Sequence, residues 1–248
     1  MLAVEIIQET DRFLIINKPA GLIVHKPGPQ STAVTLVDWL LPRYPELATV
    51  GDGARPGIVH RLDKDTSGLM IIPRDPVTHA AIGRLFQSRA ITKTYYALVV
   101  GTPPQEGEIN FSITRDPRTP TRMTHSKTLG KTAYTRYAVI QQYPTMALIA
   151  AYPTTGRTHQ IRVHLKAIGH PIIGDLVYGD GYPKYHHPSS LIARQALHAA
   201  KLALTLDDIS YSFTAPLPPD MVQMMKQKGS LESPVASSPN LDYLDTVP

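Results

Sequence analysis

Strand-like and helix-like runs alternate along this chain without a regular βαβ rhythm, and that irregular order constrains the fold more than any other feature of the sequence. Glu5 to Ile7 and Phe13 to Ile16 read as short strands, followed by the Pro/Gly-rich turn Lys18-Pro-Ala-Gly-Leu. Thr35 to Leu41 reads as a short helix that Pro42 stops, and a glycine-rich loop from Gly51 to Gly57 leads into Ile58-Val59. The continuous apolar run Leu69-Met-Ile-Ile is best read as a buried strand. Val77 to Ser88 sets Val77, Ala81, Ile82, Leu85 and Phe86 on one helical face. Tyr95 to Val100, Thr132 to Ile140 and Met146 to Tyr152 are rich in β-branched and aromatic residues and read as strands. His159 to Ile168 predicts a helix with Ile161, Leu165 and Ile168 on one face, Gly169 as its stop and Pro171 barring continuation. Elements mixed in this order predict an α+β fold on a mixed, mainly antiparallel sheet with flanking helices.

Composition then sets the boundaries. From Gly229 to Pro248 the sequence is rich in Ser and Pro, lacks a hydrophobic period, and contains Glu232, Asp242 and Asp245 with no Lys or Arg. Residues 229–248 are expected to be a disordered acidic tail and residues 1–228 a single folded domain, long enough to bury a substantial core. The whole chain carries 25 Lys and Arg against 20 Asp and Glu, a net charge of +5, so the part before the tail stands at +8. Such a body attracts polyanions, RNA and DNA first, although a solvated basic surface without a partner accounts for charge alone equally well.

The chain has no cysteine, which excludes disulfides, thiolate metal sites, iron–sulfur clusters and a cysteine nucleophile together. That suits a reducing cytosol, and a cytoplasmic location is expected. The opening MLAVEIIQETDRF has no basic start and is interrupted by Glu5, Glu9 and Asp11, so it reads as neither a signal nor a transit peptide. No stretch approaches the ~18 to 20 apolar residues of a membrane span. His159 and His164 are five residues apart, the wrong spacing for a metal pair on one helix face, and no metal site is expected. Gly51 to Gly57 lacks the strand and helix context of a dinucleotide loop, and Ser67 lacks a nucleophile elbow.

The densest polar cluster is His60-Arg-Leu-Asp-Lys-Asp-Thr-Ser-Gly-Leu, between two strand candidates. Loops held by rigid strands are where sites are usually built. Asp65, Thr66, Ser67 and Gly68 are turn formers and read as such. Asp63 follows apolar Leu62 between Arg61 and Lys64, where cations favour the charged form of a carboxylate. From local sequence alone, a surface ion pair is the commoner outcome for such a residue.

Lys18-Pro-Ala-Gly-Leu-Ile-Val-His25, the segment His60 to Leu69, Lys93-Thr-Tyr-Tyr-Ala-Leu-Val-Val-Gly101 and Gly156-Arg-Thr-His-Gln-Ile-Arg-Val-His-Leu165 resemble, in order, the motifs of the RluA-type pseudouridine synthases. The resemblance runs from about Glu5 to Met221, including Leu197-His-Ala and Ala215-Pro-Leu-Pro. It implies the pseudouridine synthase fold with a central catalytic cleft, and isomerisation of uridines in ribosomal or transfer RNA without metal or organic cofactor. It also implies roles for individual residues. Asp63 matches the catalytic aspartate, needed to break the N1–C1′ bond as nucleophile or base. Arg162 matches the arginine that pairs with it; an opposite charge at contact distance is worth about 4 kcal/mol at an effective dielectric near 20. Read without the resemblance, Arg162 suits an RNA phosphate at a helix surface.

Tyr95 matches the active-site tyrosine of the pattern Lys/Arg-x-Tyr-x-Ala, able to stack on the freed uracil. Alternation puts Tyr95 and Tyr96 on opposite sheet faces. Arg61 resembles the arginine that enters the RNA stack as the target nucleotide leaves it. His60 is assigned to positioning the loop or the RNA, and Lys18-Pro-Ala-Gly to a rigid turn bordering the site. Many members carry an S4 RNA-binding domain, whereas this chain begins almost directly at the catalytic motifs. RNA affinity is therefore expected from the catalytic body, with Arg115, Arg118, Arg122, Lys127 and Lys131 as a basic strip, although their Pro- and Thr-containing surroundings suit a mobile solvated loop as well, and a monomer is expected. Two departures from the family pattern stand out: Ile-Pro-Arg-Asp after the catalytic strand and Leu206-Asp-Asp after Leu197-His-Ala.

Overall fold

The computed structural model describes residues 3–28, 30–179 and 192–230. In chain order the elements are strands β1 (Glu5–Glu9) and β2 (Phe13–Lys18), helix α1 (Leu36–Leu40), strand β3 (Ser67–Pro73), helix α2 (Pro76–Gln87) and strand β4 (Thr92–Val100). Strands β5 (Glu106–Ile109), β6 (Ser112–Arg115), β7 (Met123–Ser126), β8 (Thr135–Gln142) and β9 (Met146–Pro153) follow, then helix α3 (Gln160–Ala167), strands β10 (Leu197–Leu206) and β11 (Ile209–Thr214), and helix α4 (Pro219–Ser230). The fold is α+β. The pairs β1–β2, β2–β3, β4–β9, β8–β9, β5–β8, β6–β7 and β10–β11 are all antiparallel. No described helix is long and apolar enough to cross a membrane. Gly229 and Ser230, expected in the tail, close helix α4, and the rest of the expected tail lies outside the described residues.

The chain forms two compact units, Met1–Lys93 with Ala199–Pro216, and Thr94–His198 with Leu217–Pro248. In the first, β2 and β3 pair so that Phe13 faces Pro73 and Lys18 faces Gly68. Every residue of β3 is buried, as its unbroken apolar run predicts. Phe13, Ile15, Leu69 and Ile71 join Ile82 of α2 and Leu202, Leu204, Leu206 and Phe213 in one core cluster. Each large side chain buried there contributes about 1.5–3 kcal/mol. α1 begins with a full capping box: Thr35 accepts from the Asp38 amide, and Asp38 accepts from the Thr35 amide.

Both departures from the family pattern have local structural uses. After β3, Arg74 bonds Glu46 and Glu9, and Asp75 caps α2 by accepting from the Thr78 amide at 2.8 Å. Asp207 and Asp208, at φ 50 and 63, form the two-residue turn between β10 and β11. Positive φ at both positions is what a tight primed hairpin turn requires, and Asp tolerates it.

Several local expectations are corrected. Val77 is 74% exposed and lies off the buried face of α2, where Thr78 and Ile82 are inside. The helix begins at Pro76, so Val77 lies in its first turn, while Ala81, Ile82, Leu85 and Phe86 pack in or against the core cluster. Gly68 is a buried strand residue and not a turn residue: at φ +119, a Cβ would stand 2.3 Å from the Ala199 carbonyl oxygen. Only glycine permits that approach of β3 to the chain at Ala199.

In the second unit the strand order is β4-β9-β8-β5, with Tyr95 facing Ala151 and Tyr137 facing Ala151 from the other side. α3 packs on β7 and β9. It begins at Gln160, because His159 takes the left-handed conformation at φ 55. All residues from Gln160 to Leu165 are buried, so α3 is enclosed and not one-sided as its apolar spacing suggested. Gly169, at φ +84, follows its end as expected. The basic strip lies on and around the hairpin β6–β7, registered from Ser112 opposite Ser126 to Arg115 opposite Met123, and not on an irregular loop throughout.

Candidate active site

The polar segment of the first unit is fastened from three sides. His60 lies against β3 and α2: its Nε2 accepts from the Ile71 amide at 3.0 Å, and its ring stacks on Phe86 with centroids 4.6 Å apart. Burial, with a smaller contribution from the charge of Lys93, pushes the His60 pKa down to about 3. The ring is thus neutral near pH 7 and anchors the loop, and its Nε2 lone pair is taken up by the Ile71 amide. Leu62 is buried at 4% exposure, whereas Arg61 and Lys64 on either side of the Leu62-Asp63 pair are exposed.

Asp63 is half-buried and opens a turn closed by the Thr66 amide donating to its carbonyl at 3.1 Å. The third fastening comes from the Lys18 turn. Lys18 is completely buried, and its Nζ donates to the carbonyls of Pro19 and Leu22 at 2.8 Å and of Lys64 at 2.9 Å. The Gly21 amide donates to the same Lys64 carbonyl at 3.0 Å. The β2–β3 register makes this possible, because Lys18 opposite Gly68 stands beside the residues that precede β3. A buried amine aimed at three carbonyls is a clamp on the residue next to Asp63. His25, at the end of the same motif, is held below its ordinary pKa by burial first and then by the charges of Arg61 and Arg55. Positive charge is therefore concentrated beside this loop.

In the second unit, Tyr95 is half-buried and Tyr96 is 3% exposed, so the strand turns Tyr96 into the core and leaves Tyr95 on the other face. Arg162 is 5% exposed, which removes the helix-surface phosphate contact. Its Nε donates to Oδ2 of Asp175 at 2.7 Å and its Nη2 to Oδ1 at 2.9 Å, a bidentate pair with a carboxylate that has no exposed surface. Asp175 Oδ1 also accepts from the amides of Val177 and Tyr178 at 3.0 and 3.1 Å. The guanidinium lies 4.9 Å from the Tyr178 ring centroid.

Gln160 replaces a conventional cap at the start of α3. Its Oε1 accepts from the Thr155 hydroxyl and the Arg157 amide, and its Nε2 donates to the Tyr134 carbonyl and Thr135 hydroxyl. His164, fully buried, continues that chain: Thr135 Oγ1 lies 3.0 Å from its Nδ1, and its Nε2 bonds the Phe111 carbonyl at 3.0 Å. Burial holds its pKa below the ordinary value, against the raising effect of the Phe111 bond. His159 bonds Tyr178, so the two histidines serve separate partners. Among the described residues, no group of three or more metal-ligating side chains is gathered.

His60, Arg61 and Asp63 thus share one loop of the first unit, and Tyr95 and Arg162 belong to the second. Sequence reasoning missed the buried roles of Lys18, Asp175 and Tyr178. The available signal was a charged residue inside an apolar run, as in Pro171-Ile-Ile-Gly-Asp-Leu-Val-Tyr178, since a buried charge requires a partner.

Residues 12–167 match the family described as RNA pseudouridylate synthase, a span that encloses all five of these residues. The chain is 45% identical over 213 residues to an uncharacterized RNA pseudouridine synthase of Chloroflexus aurantiacus, covering 85% of this chain and 65% of that protein. It is 40% identical to the ribosomal large subunit pseudouridine synthase D of Neisseria meningitidis serogroup B, covering 90% of this chain and 61% of that one. Among solved structures, human RNA pseudouridylate synthase domain containing 1 superposes with a TM-score of 0.70 at 25% identity, covering 94% of this chain and 97% of the other. The chain spans a little under two thirds of the length of these two bacterial relatives.

Proposed function

Because this chain belongs to the RNA pseudouridylate synthase family, we propose that it isomerises uridine to pseudouridine in large-subunit ribosomal RNA. The observation that carries the reading is the clamped loop: the family match encloses Asp63, and Lys18 fastens the residue beside it through the Lys64 carbonyl. Asp63 acts as nucleophile or base in breaking the bond from N1 to C1′. The uracil turns, C5 bonds to C1′, the C5 proton leaves and N1 gains one, so the isomerisation balances without a redox partner. Tyr95 stacks on the freed base, Arg162 supplies positive charge to the reacting carboxylate, and Arg61 enters the stack vacated by the target nucleotide. His60 holds the loop that presents Arg61 and Asp63. The protein works as a monomer in the cytoplasm and needs neither metal nor cofactor.

Release of tritium from RNA labelled at uridine C5 tests this directly. Asp63→Asn is expected to abolish release while leaving RNA binding largely intact, and full activity in that variant would sink the assignment. Arg162→Ala should lose most turnover, with Arg162→Met no better. Release that persists in EDTA with RNA length unchanged would exclude a metal-dependent nuclease using His60, Asp63 and Asp65. Pseudouridine mapping of cellular RNA with and without the protein would name the site.

A further inference from the structure

The β6–β7 hairpin and helix α3 meet at one side chain. Tyr178 is 2% exposed and packs with Ile113 of β6, Ala133 and Val163 of α3, with Met123 of β7 against them. Its hydroxyl is a polar centre in this small core. The Met123 amide donates to it at 3.0 Å, and it lies 2.7 Å from Nδ1 of His159. Having accepted from Met123, the hydroxyl donates its own proton to His159 when that ring carries hydrogen on Nε2.

The ring of the same tyrosine carries two guanidiniums. Arg162 lies 4.9 Å from its centroid and Arg122 5.6 Å. Arg122 also donates to the Val177 carbonyl, and Asp175, which holds Arg162, accepts from the Tyr178 amide. His159 is in the left-handed region at φ 55, a conformation uncommon outside glycine and sustained by surrounding contacts. One side chain therefore touches the base of the basic hairpin, the residue that precedes α3, and the arginine of the site.

We propose that Tyr178 is a positioning residue that couples the seating of the β6–β7 hairpin to the guanidinium of Arg162. RNA held by Arg115, Arg118, Lys127 and Lys131, all exposed around this hairpin, fixes Arg162 in its working geometry through that side chain. The inference rests on the RNA pseudouridine synthase reading above. A displaced hairpin moves the Met123 amide, and through the hydroxyl and ring it moves both His159 and Arg162.

Tyr178→Phe keeps the ring under both guanidiniums and removes only the hydroxyl. With tritium release from an unmodified large-subunit rRNA transcript and affinity from filter binding, this variant should lower kcat about tenfold, equivalent to about 1.4 kcal/mol, with Kd changed less than about twofold. Without its hydroxyl anchor the ring transmits less, so Arg122→Ala should lower kcat by a smaller factor in Y178F than in the wild-type background, while weakening RNA binding by the same factor in both. His159→Asn tolerates the left-handed backbone but withdraws the ring, and should reproduce the kcat loss; thermal melts of all variants separate turnover from folding. With an active wild type, an unchanged kcat in Y178F and H159N, or independent multiplication of the R122A and Y178F effects, overturns the inference alone. A wild-type chain that releases no tritium overturns the functional reading, and the inference falls with it.

Discussion

Asp175→Asn is the sharpest probe of the buried pair that holds Arg162. The carboxylate accepts four hydrogen bonds: from Nε and Nη2 of Arg162 at 2.7 and 2.9 Å, and from the Val177 and Tyr178 amides at 3.0 and 3.1 Å. Three of the four end on Oδ1, so the asparagine oxygen will take that place and its NH2 will face Nε of Arg162, donor against donor. The substitution keeps shape, loses one bond and leaves a guanidinium of 5% exposure without its buried carboxylate. Removing one partner of a buried pair costs about 3–5 kcal/mol; the three retained bonds place this case near the lower end, about 3. At about 2–4 °C per kcal/mol for a chain of this size, the melting temperature should fall by about 6–12 °C, followed by far-UV circular dichroism. The double variant R162M/D175N leaves no orphaned charge, keeps an acceptor oxygen for the Val177 and Tyr178 amides, and should regain most of that loss, with both variants inactive in tritium release. A D175N melt within about 2 °C of wild type would refute the reasoning. So would a double variant less stable than the single one.

The remaining predictions concern the clamp, the buried histidines and the hairpin. Lys18→Met keeps the stem but strips donors from three carbonyls, so it should destabilise the protein by about 2–4 kcal/mol in urea unfolding and reduce turnover more than RNA affinity; unchanged turnover would deny the clamp a role. His60 and His164 both titrate below 6.5 in the folded chain, so the unfolded chain binds more protons as pH falls through that value. Their contribution is complete above about pH 6.5 and is lost toward pH 3 for His60, each histidine adding a slope of up to about 1.4 kcal/mol per pH unit. His60→Gln, which still accepts from the Ile71 amide, should flatten the acid limb of stability against pH by about that slope, and an unchanged limb would contradict the assignment. Neutralising Arg115, Arg118, Lys127 and Lys131 to Gln should reduce the salt dependence of binding to single-stranded RNA by about 3 in log–log slope. An unaltered slope would place the RNA elsewhere.

Much of the fold was legible because neighbouring residues carried it. The run Leu69-Met-Ile-Ile became a strand buried at every residue, and Thr35 with Asp38 capped a helix where a polar residue precedes an apolar run. The alternation that separated Tyr95 from Tyr96 is a property of any strand. Expectations failed where a distant segment intervened. Gly68 is glycine because Ala199 approaches it, and α3 is enclosed on more than its apolar face because β7 and β9 pack against it. Asp207-Asp208 departs from the family motif in sequence, and only the pairing of β10 with β11 makes it a turn.

The sequence by itself determined the α+β class, the order of most elements, the family motifs and the residues that stand in them, since periodicity, caps and motif order are properties of contiguous residues. Only the tertiary structure decided how those residues are held. Lys18 reaches the Lys64 carbonyl across 46 positions, Met123 reaches Tyr178 across 55, and Arg162 finds Asp175 across 13. Partnerships of that kind depend on strand register and loop closure, and a buried charge takes whichever partner the packed chain brings within hydrogen-bond distance.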